Sequence, residues 1–214
     1  MKQVAVIGLG RFGSSVARTL VASGCEVLGV DVDEARVKAI ADEITDAVRA
    51  NAVEEEALRL LGLRNFEVVV VAIGHEMEAS ILVTVLLKEM GVQKIVAKAQ
   101  DELHGRVLQK VGADIVVFPE RDMGIRLAHT LISRNVIDEI QLSTDYSIFE
   151  LIAPPRFLGR SLKEMELRQR FGLTILAIRR KDRIVVSPDA GQTLEEGDVL
   201  VALGQPAKLE RLNE

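Results

Sequence analysis

Over the first two thirds of the chain, short apolar, β-branched runs alternate with stretches in which apolar residues recur every three or four positions. Residues 4–7 read as a strand. Residues 12–23 follow with apolar positions at Val16, Ala17, Leu20 and Val21, the spacing of one helix face, and Gly24 stands where a helix C-cap belongs. The alternation continues with strands over 26–30, 47–49, 68–72, 94–98 and 115–118, and helices over 34–41, 54–61, 79–90 and 102–111. Runs such as Val68-Val69-Val70-Val71 are apolar at consecutive rather than alternating positions, the pattern of strands covered on both faces. Six strands alternating with helices predict an α/β fold, a doubly wound, six-stranded parallel, Rossmann-like sheet over residues 2–120.

Beyond residue 120 the pattern changes. Residues 121–134 read as a helix with apolar residues at Met123, Leu127 and Leu131 and at Ala128 and Ile132, yet no strand requires it as a crossover. Strand-like text follows at 147–152, 174–179, 183–186 and 199–203. Ser161 with Glu164 reads as a capping box opening a short helix. These elements predict a small C-terminal α+β module, with the chain divided into residues 1–134 and 135–214.

Composition narrows the function classes. The 214 residues carry 27 Lys and Arg against 32 Asp and Glu, a net charge of −5, and neither part is basic. That argues against a broad nucleic-acid face, and no helix-turn-helix pattern supports a repressor. With 3% aromatics and no Trp there is no stacking platform for single strands. One cysteine, Cys25, excludes an intrachain disulfide, argues against a cysteine-built zinc site, and reads as a small buried hydrophobe of a reducing, cytosolic protein. No apolar run reaches the ~18–20 residues of a membrane span, and the N-terminus lacks the pattern of a signal peptide. Any work at a membrane is therefore expected to go through a partner.

The motif that carries chemistry is Gly8-Leu9-Gly10-Arg11-Phe12-Gly13. A lone GxGxxG is weak evidence, but this one follows a predicted strand, opens a helix, and is followed at roughly the expected 20-residue distance by Asp31 at the end of the second strand. Gly8 permits the turn, Gly10 lets backbone approach a phosphate, and Gly13 lets helix and strand pack closely. The helix N-terminus then offers free N–H groups to phosphate, and Asp31 would accept hydrogen bonds from ribose hydroxyls. Val32-Asp33-Glu34 brings carboxylates and no arginine to that corner, which disfavours a 2′-phosphate and hence NADP. Arg11 inside the loop suits terminal phosphates, as in ATP or ADP, or a solvated helix start. Glu120 falls on the same sheet edge, where it could hold a cation on phosphates, pair with an arginine, or act as a first-turn helix acid. Lys98 could face phosphate. Gly74, beside Ile73, offers close backbone approach, and Asn51, beside Ala52, could meet the adenine edge. Phe12 and Val32 complete the expected nucleotide contacts. His75 follows a strand end and could lie near a ligand, whereas His104 and His129 fall in helices as packing or surface residues. No nucleophile–base set or metal-ligand spacing emerges. For a small NAD-dependent oxidoreductase, the rival class, only His75 or Lys98 can be nominated, and the C-terminal part is short for a substrate domain.

The glycine motif, Ala97-Lys98-Ala99 and Phe118-Pro119-Glu120-Arg121-Asp122-Met123-Gly124 resemble the RCK domains that regulate potassium channels and transporters, the KtrA/TrkA family. Leu158-Gly159-Arg160-Ser161-Leu162, Ala177-Ile178-Arg179-Arg180 and Gly197-Asp198 resemble that family's C-terminal module, so the resemblance covers nearly the whole chain. It implies a non-enzymatic regulatory subunit that binds ATP or ADP, or NAD(H) as a redox sensor, without turnover. Arg11 would contact terminal phosphates, and Glu120 would pair with a neighbouring subunit's arginine or a divalent cation. Helix 121–134 would cross to a partner subunit. Dimers would form an octameric ring beneath a membrane potassium-translocating subunit, at the inner face of the cell membrane. In some relatives the C-terminal module binds cyclic di-AMP, for which Ile175, Ile178, Arg180, Ile184 and Pro188 are the local candidates. Ala50-Asn51-Ala52 departs from the Gly-Asp-Ala type of segment frequent in relatives, which changes the expected adenine or ribose contacts.

Overall fold

The computed structural model describes residues 2–132 and 135–209, in two compact units, residues 1–120 and 121–214. In the first unit, strands β1 (Gln3–Ile7), β2 (Glu26–Asp31), β3 (Asp46–Arg49), β4 (Val68–Val71), β5 (Ile95–Lys98) and β6 (Ile115–Val117) form one parallel sheet in the order β3-β2-β1-β4-β5-β6. Helices α1 (Arg11–Ala22), α2 (Glu34–Ile40), α3 (Glu55–Leu60), α4 (Met77–Glu89) and α5 (Glu102–Val111) connect them. The consecutive valines of β4 have the predicted cause. Val69 and Val71 enter the core on one face of the sheet with Ala5 and Ile7, while Val70 enters the core on the other with Val4 and Val6. Cys25 is half-buried against that second core rather than fully enclosed.

Strand order reverses between β1 and β4, which opens a crevice beyond their carboxyl ends. Gly8 lies at its floor with φ +95°, and a Cβ there would stand 2.9 Å from the Ala72 carbonyl carbon. A Cβ on Gly13 would stand 1.8 Å from the Gly8 carbonyl oxygen, so α1 can seat on the turn only with glycine at that position.

Helix α6 (Pro119–Ile132) begins two residues earlier than the pattern suggested, and the predicted helical residues 133 and 134 lie outside the described residues. Met123, Ile125, Leu127 and Leu131 on this helix are exposed. The second unit also holds strands β7 (Val136–Gln141) and β8 (Ser147–Ile152), short helices α7 (Leu162–Met165) and α8 (Leu167–Phe171), strands β9 (Thr174–Arg180), β10 (Arg183–Val186) and β11 (Val199–Gly204), and helix α9 (Pro206–Leu209). Its sheet runs β10-β9-β11-β8-β7, antiparallel throughout. The Ser161–Glu164 capping box is present with both of its hydrogen bonds. Strand β7 had no sequence signal because its pairing with β8 shifts register between Val136 and Asp138, and that irregularity destroys the two-residue period.

Candidate functional site

A cleft of about 600 Å³ occupies the crevice at the switch of strand order. Gly8, Gly10, Arg11 and Phe12 of the β1–α1 turn line one side, with Asp31 and Val32 after β2 and Asn51 and Ala52 after β3. Ile73, Gly74 and His75 after β4, Lys98 and Gln100 at β5, and Glu120 at the start of α6 line the other. Gly13 lies beneath the lining, where it serves packing. A Cβ on Gly10 would meet nothing within 4 Å, so this backbone faces open space in which a phosphate can approach.

At the end of β2, Asp31 is buried and already hydrogen-bonded. Its Oδ2 accepts from the Leu9 N–H at 2.7 Å and its Oδ1 from the Asp33 N–H at 2.9 Å. The aspartate therefore pins the glycine turn as well as facing the cleft. Arg36, absent from the sequence-derived site, also reaches this corner. Its guanidinium stands 3.4 Å from Asp31 and 3.5 Å from Asp33 and lines the cleft. The expectation of a corner without arginine is thus corrected. One helical turn of α2 brings Arg36 over Asp33, a spacing the sequence contained. Asn51 donates through Nδ2 to Glu54 at 2.8 Å and is exposed at the rim.

Basic groups also line the cleft, on the β1–α1 turn and across from it on β5. Arg11 is exposed on the first turn of α1, where the helix N-terminus adds positive potential. Lys98 donates to Glu120 Oε1 at 2.5 Å, and its Nζ lies 5.8 Å from the centre of the Phe12 ring. The lysine side chain is only 10% exposed, the glutamate 70%. The Lys98 hydrogen bond holds the Glu120 carboxyl below its ordinary range. Partial burial opposes this, and the α6 backbone and the charges of Lys98 and Arg11 add to it. Gln100, also missed from sequence, donates through Nε2 to the Gly74 carbonyl at 2.6 Å and through its backbone N–H to His104 Nδ1 at 3.3 Å. His104 is fully buried, and burial pushes its imidazole below the ordinary value against the pull of Asp101. It packs behind the turn, as expected, while His75 is exposed at the cleft. The side chain of His129 lies outside the described residues.

A cation at Glu120 finds few ligands in this chain alone. Its Oε1 is committed to Lys98, and no group of three His, Cys, Asp or Glu side chains gathers among the described residues. The residues present do not by themselves fit a divalent ion.

In the second unit, the five residues expected to form one ligand surface do not come together. Ile178 is buried in the unit's core, and Ile175 packs against that core. Ile184 pairs across the strands with Arg179, whereas Ile178 pairs with Val185, so Ile184 and Ile178 point to opposite faces of the sheet. Arg180 is fully engaged. Its Nε and Nη2 each donate to the buried Asp198 carboxylate at 2.7 Å, Nη2 also donates to the Thr193 carbonyl at 2.9 Å, and Nη1 donates to Glu195. This fork holds the Asp198 carboxyl below its usual range, and burial opposes it. Of the five, Ile184 is exposed and Pro188 half-buried.

Fold and cleft define a nucleotide-binding doubly wound unit followed by a small antiparallel β unit. Residues 4–119 match the TrkA-N domain and residues 146–214 the TrkA-C domain. The chain is 46% identical over 210 residues to the Ktr system potassium uptake protein A of Bacillus subtilis and 43% identical to protein C of the same organism, each match covering 98% of this chain and 95% of the relative. Protein A of Vibrio alginolyticus is 41% identical over 97% of this chain and 94% of its own length. Among solved structures, the GsuK channel bound to NAD aligns with all of this chain at 25% identity and a TM-score of 0.56, this chain spanning 38% of the channel's length. The protein belongs to the TrkA-N/TrkA-C family of Ktr-type potassium uptake proteins. Among the described residues, no helix is long and apolar enough to cross a membrane.

Proposed function

We propose that this chain is a cytosolic, nucleotide-sensing regulatory subunit of a membrane potassium transporter, binding ATP or ADP in the first unit without turning it over. The observation that carries the reading is the charge layout of the cleft. The corner at Asp31 suits a ribose, and the far end places exposed Arg11 and buried Lys98 where terminal phosphates would lie. ATP and ADP differ by one phosphate at that end, so they would interact differently with Arg11, and a ligand shifts a conformational equilibrium only through such a difference. We assign the nucleotide-binding function to residues 1–134 and the regulatory module to 135–214. The exposed apolar residues of α6 suit burial against a second copy, and dimers would build an octameric ring under the membrane subunit. A divalent cation would join the site only with ligands from the phosphates. In the second unit, a cyclic di-AMP surface would use exposed Ile184 and Pro188, with Ile178 and Arg180 outside it.

The test is calorimetry of ATP and ADP with the unmodified chain and with Arg11→Ala. The variant should lose the preference for ATP over ADP, about 10- to 100-fold for a charge-assisted phosphate contact, and still bind adenosine nucleotides. An unchanged preference would remove Arg11 from the reading. A second reading, NAD(H) as a redox ligand, is favoured by the NAD-bound GsuK channel and predicts tighter binding of NADH than of ATP.

A further inference from the structure

In the second unit, a single 3₁₀ turn (Pro155–Phe157) followed by α7 and α8 forms a helical layer over one face of the antiparallel sheet. Phe157, Met165, Leu167 and Phe171 of this layer are buried in one core with Phe149, Leu151 and Leu200 of the sheet. Leu200 pairs with Leu151 across the strands, and Phe149 lies two residues from Leu151, so the three share one face. What the layer leaves outside is mostly basic. Residues 155–171 carry Arg156, Arg160, Lys163, Arg168 and Arg170 against Glu164 and Glu166, in a chain whose net charge is −5. All seven are exposed except Arg160, which is half-buried. Glu164 is engaged locally, accepting from the Ser161 N–H at 2.8 Å and from its hydroxyl at 2.9 Å. The guanidiniums of Arg156 and Arg170 stand 5.6 and 5.4 Å from the centre of the Phe171 ring. Beside them, a Cβ on Gly172 would lie 3.5 Å from Lys208 Nζ, so a lysine of α9 extends the same rim. Among the described residues, Lys163, Arg168, Arg170 and Lys208 enter no ion pair. Cations gathered on one face repel one another, and an anionic surface brought against them relieves that repulsion.

We infer that this basic face is a membrane contact, which rests on the headgroups of anionic phospholipids. The inference does not depend on the nucleotide reading above. Six cations spread along a turn and three short helices make a surface rather than a pocket, and a surface of many small anions is its complement. Each Lys or Arg brought near such headgroups adds about fivefold in affinity, the factor for roughly 1 kcal/mol. The remainder of the chain is acidic on balance, so an anionic membrane repels it and attracts this face. The contact therefore orients the second unit as well as holding it. The chain belongs to a family of potassium uptake proteins, and no described helix can cross a membrane. Headgroup contact gives it a foothold on the lipid in addition to any protein partner.

The test is co-sedimentation of the full chain with vesicles of phosphatidylcholine alone and of phosphatidylcholine mixed with phosphatidylglycerol. The expected result is binding to the anionic vesicles only, lost between about 0.1 M and 1 M salt as the screening length falls from roughly 10 Å to 3 Å. Combining Arg168→Gln, Arg170→Gln and Lys208→Gln should weaken that binding about 100-fold. A control that removes the same charge from exposed positions elsewhere, Arg64→Gln with Lys110→Gln and Lys181→Gln, should weaken it less than about fivefold. Arg168→Lys with Arg170→Lys should preserve it, because a headgroup surface responds to charge and not to the guanidinium fork. Equal binding to both vesicle types, binding to neither, or equal losses in the two triple variants would overturn the inference. Loss of binding in the lysine variant would overturn it too, by marking a bidentate anion site in place of a surface. The vesicle and salt comparisons use the unmodified chain and decide the question even if a variant fails to fold.

Discussion

Each unit of the molecule contains an ion pair with one buried member, and the two pairs are built in opposite senses. In the first unit the cation is buried and the anion exposed: Lys98 sits in the cleft wall and Glu120 lies largely in water. In the second unit the anion is fully buried, and the cation closes over it with a bidentate fork from Arg180 to Asp198. Fork geometry, a further hydrogen bond from the Glu195 N–H to Asp198, and the Thr193 carbonyl leave the second pair no vacancy. The first pair has one bond and an open cleft beside it. The lesson is that an ion pair's role follows from which partner water can reach. A pair whose exposed member is anionic, beside a cavity, is held by one bond that water can reach. A pair whose buried member is held by three donors is a clasp.

The comparison can be broken most sharply in the second unit. Arg180→Ala would strand a fully buried carboxylate and should cost about 3–5 kcal/mol, read as a lowered urea midpoint of the full chain. A loss below about 1 kcal/mol would mean that the fork is not a clasp. In the first unit, Glu120→Gln leaves the buried Lys98 ammonium facing a neutral amide and the water of the cleft and should cost about 1–3 kcal/mol, less than the loss in the second unit.

The two units should also respond to acid in different windows. Burial holds the His104 imidazole below its ordinary value, so the unfolded chain takes up that proton more readily than the folded one. This contribution to stability is complete above about pH 6.5 and falls as pH drops through the folded value. Asp198 is also depressed, but from the carboxylate range, so its contribution persists to lower pH and is lost only as pH falls through its folded value. Urea midpoints from pH 8 to pH 3 should therefore show a first decline that His104→Gln removes, followed by a second that it does not. A single decline unaffected by His104→Gln would contradict this assignment.

The first unit was far more legible in the sequence than the second, for a physical reason. A parallel sheet covered on both faces writes itself as unbroken apolar strands separated by helical periods, and Gly8, Gly13 and Asp31 hold the geometry their spacing implied. Contacts made by long side chains across loops left weaker traces. Arg36 reaches Asp31 from the next helix, and Gln100 reaches Gly74 across the crevice. Both were invisible to strand-end reasoning, although the Asp33–Arg36 spacing contained the first. The second unit is less readable because its strands are half-covered and irregular. A register shift hid β7, and the face on which Ile178 and Ile184 lie depends on a pairing with β10 that only the fold supplies. Arg180 is a cyclic di-AMP candidate through the family resemblance alone, and its sequence neighbourhood does not announce the ion pair it makes. The residue that claims it, Asp198, is distant in the chain.

The most direct test of the account is a side-by-side calorimetric titration of the unmodified chain with ATP, ADP and NADH, with product analysis of the ATP sample. The account predicts that ATP binds more tightly than ADP, that both bind more tightly than NADH, and that the ATP is recovered intact. Preferential binding of NADH, or hydrolysis of the bound ATP, would contradict it.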